Sequence, residues 1–137
     1  MTQEEKKLLL QDLCTRLPYG VKVRYSSYIE FITCTLQSIN PIYNIVDLWS
    51  KDACFTSVTI DKIKPYLRPM SSMTEEEQKE YRKICDLDME ILENRPMKGE
   101  PFPALYNSQD WLDKKMFDYR GLIPMGLAID ATDKNIY

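Results

Sequence analysis

Histidine is absent from this chain, and its four cysteines, Cys14, Cys34, Cys54 and Cys85, are dispersed with no C-x-x-C pair among them. Zinc centres draw on clustered Cys or His ligands, so the pattern predicts no metal site. Dispersed thiols in a reducing compartment act as small hydrophobes. The lack of histidine also removes the commonest general base. A Ser or Cys nucleophile would then need a lysine or an N-terminal amine beside it, and no Ser-x-x-Lys occurs. The phosphate cradle G-x-x-x-x-G-K is missing too. Gly121 and Gly126 have the spacing, but Leu127 stands where the lysine belongs. No apolar run approaches the length of a membrane span. Glu4 and Glu5 precede the three leucines at 8–10, where a secretory signal would carry basic residues and a longer apolar core. These absences predict a cytoplasmic protein without membrane anchor, metal, cofactor or catalytic apparatus.

What is present fits one globular domain over residues 1–137, with 44% apolar and 28% charged residues. The net charge of −3 is unevenly spread: residues 1–70 carry nine Lys/Arg against seven Asp/Glu, and residues 71–137 nine against fourteen. An acidic total argues against wholesale wrapping of nucleic acid, yet leaves room for a basic patch in the first half. The carboxylates gather at 75–93, as on the solvated face of a helix rather than in an acid/base pair flanking a cleft.

Thr2 and Glu5 form a capping-box signature, and Leu9, Leu10, Leu13, Cys14 and Leu17 then recur at helical spacing, predicting a helix over 3–16. Pro18 and Gly20 end it. From Val21 the period becomes two: Val21, Val23 and Tyr25 face one way, Lys22 and Arg24 the other. Further strands are expected at 28–36, 42–49 and 54–60. The apolar phase shifts at Phe31-Ile32, as at a bulge. Four short strands over 20–60 predict a small antiparallel, partly closed, SH3-like barrel. Pro65 and Pro69 leave room for a single helical turn over 61–70. Thr74 and Glu77 open a second helix to about Glu93, 95–103 reads as a loop, and Ser108 caps a short helix through Met116. Broken by Gly121, Pro124 and Gly126, the tail reads as an irregular strap, so the helical part with tail spans 74–137. The fold class is α+β: an N-terminal helix, the barrel, two further helices and the strap.

Two places could bind. Lys22 and Arg24 share the predicted sheet with Tyr25, Tyr28, Tyr43 and Trp49, the mixture of cations and stacking rings found in barrels that hold single-stranded nucleic acid. Elsewhere, the segments 63–77 and 117–128 mix Pro and Gly with Tyr and Arg, the residues that anchor protein interfaces. Tyr66, Arg68, Tyr119 and Arg120 are the candidate partner-binding residues. The alternative is that both segments close the domain, with Tyr and Arg satisfying local backbone groups.

Together with Leu17-Pro18-Tyr19-Gly20-Val21-Lys22-Val23, these two segments resemble a group of short uncharacterised proteins of gut anaerobic bacteria, their phages and mobile elements. The resemblance covers both ends and the middle of the chain and is weak over 26–59 and 85–108. It carries no known activity and implies only a context, that of a phage or mobile element keeping a small accessory protein. The leading expectation is therefore a non-enzymatic module that binds a protein partner, and the alternative is a single-stranded nucleic-acid binder.

Overall fold

The computed structural model describes residues 1–51, 54–93 and 107–137. The loop expected over 95–103 lies outside the described residues. Thr2 caps the first helix, α1 (Gln3–Arg16), by the reciprocal bonds its sequence announces: the Glu5 N–H donates to Thr2 Oγ1 at 3.1 Å, and the Thr2 N–H to Glu5 Oε2 at 2.8 Å. Gly20, at φ +71°, then turns the chain in the left-handed region that ends helices.

Strands β1 (Lys22–Ser26), β2 (Phe31–Asn40), β3 (Ile45–Ser50) and β4 (Cys54–Thr59) form the expected antiparallel meander. Two of its turns sit later than the periodicity predicts. Residues 27–30 form the first turn, with the Ser27 hydroxyl accepting the Glu30 N–H and donating to the Glu30 carbonyl. The second turn is held by Asn40, whose Oδ1 accepts the Ile42 N–H. The phase shift at Phe31-Ile32 marks the hairpin's end rather than a bulge. The bulge lies at Gln37, where the register steps between Leu36 and Ser38.

The meander does not close into a barrel. Residues 63–67, expected as part of a proline-broken turn, instead form β5 (Ile63–Leu67), which pairs antiparallel with the free side of β1. The sheet therefore extends to six strands in the order β4-β3-β2-β1-β5-β6, where β6 (Ile129–Asp130) runs parallel to β5. Barrel closure needs the first and last strands to meet; here β4 and β6 are opposite edges. Pro65 is tolerated because β6 pairs only with Tyr66 and Leu67, so the proline faces β1 alone, as at an edge.

One face of the sheet is buried. Val21, Val23, Cys34, Leu36, Val46, Leu48, Val58 and Ile60 pack in one cluster with Leu9 and Leu13 of α1 and with Leu122 and Leu127 of the tail. A second cluster joins α2 (Glu75–Glu93) to α3 (Asn107–Lys114), with Trp111 stacked between Tyr81 and Phe117 at ring distances of 5.5 and 5.7 Å. Thr74 and Glu77 cap α2 as predicted. Ser108 does not cap α3. It lies inside the first turn, and its N–H donates to Asp88 Oδ2 of α2 at 3.0 Å. Among the described residues no helix is long and apolar enough to cross a membrane.

Candidate functional site

Residues directly opposite in an antiparallel ladder share a face, so the register builds the outer surface of the sheet row by row. One row is Lys22, Thr35, Trp49 and Phe55, running from β1 to β4. The next is Lys64, Arg24 and Thr33, and beyond it lies Phe31 opposite Ser26. The rings on this face are in solvent: Trp49 is 43% exposed, Phe55 66% and Phe31 66%. Soluble proteins rarely leave three large rings on one open sheet without a ligand for them.

The cations of the face are unopposed among the described residues. None of the ion pairs between described residues involves Lys22, Arg24 or Lys64. The Arg24 guanidinium lies 4.2 Å from the Phe31 ring centroid, and its Nε is buried without a hydrogen-bond partner. The single carboxylate of the neighbouring row, Asp47, accepts hydrogen bonds from the hydroxyls of Ser38 and Ser57. Those two bonds hold its carboxyl below the usual range, so it stays charged and bounds the cationic half of the face.

Of the residues that sequence reading proposed for this surface, Lys22 and Arg24 are on it. Tyr25 is not: it packs against the core cluster on the opposite side. Tyr28 lies in the β1–β2 turn, 99% exposed, with the Lys62 ammonium 5.4 Å from its ring. Tyr43 is exposed in the β2–β3 turn. Phe31, Phe55 and Lys64 were missed. The signal for Phe55 was in the strand alternation over 54–60, whereas Lys64 joins the face only because β5 pairs with β1.

The other four candidates are engaged inside the chain. Tyr66 is 7% exposed. Arg68 forms a two-pronged pair with Glu77 at 2.8 and 2.9 Å and lies 4.3 Å from the Phe117 ring centroid. Arg120 donates to Asp12 Oδ1 at 2.8 Å, and Tyr119 donates its hydroxyl to Asp113 Oδ1 at 2.7 Å. Burial raises the Tyr119 hydroxyl, with that bond adding to the effect. Contact of a partner with Arg68, Tyr119 or Arg120 would first have to break these bonds, and Tyr66 offers little surface to reach. Cys14, Cys34 and Cys85 are free thiols, and burial pushes Cys34 upward. No group of three or more His, Cys, Asp or Glu among the described residues could hold a metal ion. No protein-family model, curated protein or solved structure matches this chain.

Proposed function

We propose that this protein is a non-catalytic binding module whose open sheet face holds single-stranded nucleic acid, in the service of a phage or mobile element. One observation carries the reading: Trp49 and Phe55 lie directly opposite on neighbouring strands and are exposed, with Lys22, Arg24 and Lys64 beside them in no ion pair among the described residues. Bases stack on rings and phosphates follow cations, and a sheet offers both at the spacing of its strands. The acidic total does not weigh on this surface, because α2 holds a large share of the carboxylates. The mobile-element context draws on the sequence resemblance.

Titration of unstructured DNA and RNA oligonucleotides tests the reading. Trp49 is exposed and Trp111 buried, so bound bases should quench the Trp49 emission selectively. Trp49→Ala and Phe55→Ala should each weaken binding by about 1–3 kcal/mol. Replacing Lys22 and Arg24 together by Ala should flatten the salt slope by roughly two phosphate contacts. Absence of quenching at low salt would end the proposal.

A protein partner is the second reading, favoured by the β4 edge. Among the described residues β4 is laddered on one side only, and its sequence carries neither charge nor proline. Such an edge invites an added strand from an extended peptide. A captured partner that slows amide exchange in β4, and that Ser57→Lys releases, would support it. Capture indifferent to Ser57→Lys would remove it.

A further inference from the structure

The rings and the cations of the outer face are sorted onto different strands. Phe55 stands on β4, Trp49 on β3 and Phe31 on β2, whereas Lys22 and Arg24 stand on β1 and Lys64 on β5. The register also sets how far apart the rings are. Trp49 and Phe55 are directly opposite, which puts their β-carbons about 5 Å apart. Phe31 is further off, because it precedes Thr35, the β2 partner of Trp49, by four residues. That is about 13 Å along one strand and about 5 Å across to the next, or roughly 14 Å in all. Phe31 is also part of a larger platform. The Arg24 guanidinium lies against it at 4.2 Å, and a guanidinium plane is itself a surface on which bases stack. In the turn beyond, the almost fully exposed Tyr28 has the Lys62 ammonium 5.4 Å from its ring centroid.

These spacings constrain what can lie on the face. Neighbouring bases are about 3.4 Å apart when stacked and roughly twice that when the strand is drawn out. Two consecutive bases can therefore share Trp49 and Phe55, but they cannot reach from Trp49 to Phe31. Crossing that gap takes about two steps of a stretched backbone. We infer that the face has two stacking stations, Trp49 with Phe55 and Phe31 with Arg24, and that it takes single strands of about four nucleotides or more. Such a strand runs diagonally from β4 to the β1–β2 turn, with its bases toward the rings and its phosphates on the β1 side, along Lys22 and Arg24. The inference rests on the nucleic-acid reading of the same face, and adds to it a second ring site and a minimum length.

The test uses labelled five-nucleotide strands with identical phosphates: one intact, and two stripped of three consecutive bases, from the 5′ or from the 3′ end. A stripped strand keeps its charges for the cations but can fill only one station. Fluorescence anisotropy against the full chain should show the intact strand bound roughly tenfold more tightly than either stripped one. Phe31→Ala, a change at a side chain 66% exposed, should lower the intact strand to the level of the stripped strands. The stripped strands themselves should stay within about twofold of their wild-type affinity, and Phe31→Tyr should keep the preference for the intact strand, since it keeps the ring. Equal affinity for intact and stripped strands overturns the inference and leaves the nucleic-acid reading standing. So does a Phe31→Ala variant that weakens all three strands alike, which would reduce Phe31 to a support for Arg24, or one that weakens none. If no strand binds at low salt, both fall together.

Discussion

At the scale of single residues, charge is used in two ways that the sequence does not separate. Among the described residues Lys22, Arg24 and Lys64 join no ion pair, whereas Arg16, Arg68 and Arg120 each hold a carboxylate. The Arg68–Glu77 pair has a measurable consequence. Hydrogen bonds from Arg68 hold the Glu77 carboxyl down at about 2, against an ordinary 4.5. An unfolded chain therefore binds this proton first, and stability should rise with pH through the window between those values. The contribution is complete above the ordinary carboxylate range and lost as pH falls toward 2. Because Arg68 keeps a quarter of its surface in solvent, screening limits the effect to about 1–2 kcal/mol. Urea midpoints of the wild type and Arg68→Ala should differ at neutral pH and converge near the acid limit. A constant difference across that window would show that packing of Arg68 on Phe117 matters more than its charge.

Among the elements, β5 decides the architecture, and it is stitched in from both sides. The Arg68 N–H donates to the Met116 carbonyl at 2.7 Å, and the Asp118 N–H returns to the Arg68 carbonyl at 2.8 Å. Met116 adopts φ +63° at the end of α3, which turns the chain so that Phe117 runs parallel to Arg68. Where β1 and β5 diverge, the Tyr137 hydroxyl bridges them. It accepts the Lys22 N–H at 2.9 Å and donates to the Tyr66 carbonyl at 2.9 Å. Burial of that hydroxyl pushes it up to about 12, although the residue as a whole is half exposed. Tyr137→Phe leaves the ring in place and strands both backbone groups, so a loss of about 1–3 kcal/mol is expected. Amide exchange should then accelerate in β5 ahead of β3. Unchanged exchange in β5 would mean that water replaces the hydroxyl without cost.

For the whole molecule, one carboxylate ties the two ends of the chain together. Asp12 is fully buried and holds Arg16 through both oxygens, at 2.9 and 3.1 Å, and Arg120 at 2.8 Å; Arg16 in turn donates to the Phe117 carbonyl at 2.6 Å. Removing the charge while keeping the shape leaves the buried Arg16 with no carboxylate partner among the described residues, and Arg120 with Asp113 alone, at 3.9 Å. Asp12→Asn should therefore cost about 3–5 kcal/mol, a large part of the stability of a domain this size. The expected observation is a much lowered thermal midpoint. A shift no larger than that of an exposed Asp→Asn change, such as at Asp86, would show the cluster to be dispensable.

Local features were legible in the sequence wherever a few neighbouring residues suffice. The capping boxes at Thr2 and Thr74, the end of α1 at Pro18 and Gly20, and the two-residue alternation of Lys22 and Arg24 all depend on contacts within a few positions. What only the tertiary structure decided are pairings across long stretches of chain. Pro65 argued locally against a strand, and the free side of β1 overrode it. That one pairing opened the expected barrel into a sheet, brought Lys64 beside Arg24, and left an outer face where Trp49 and Phe55 stand in solvent. The fates of Tyr66, Arg68, Tyr119 and Arg120 were equally hidden. A Tyr or Arg in a loop serves a partner or its own chain according to which acceptors folding brings within reach. Here the acceptors of the two arginines lie on α1 and α2, and proximity along the sequence could announce neither.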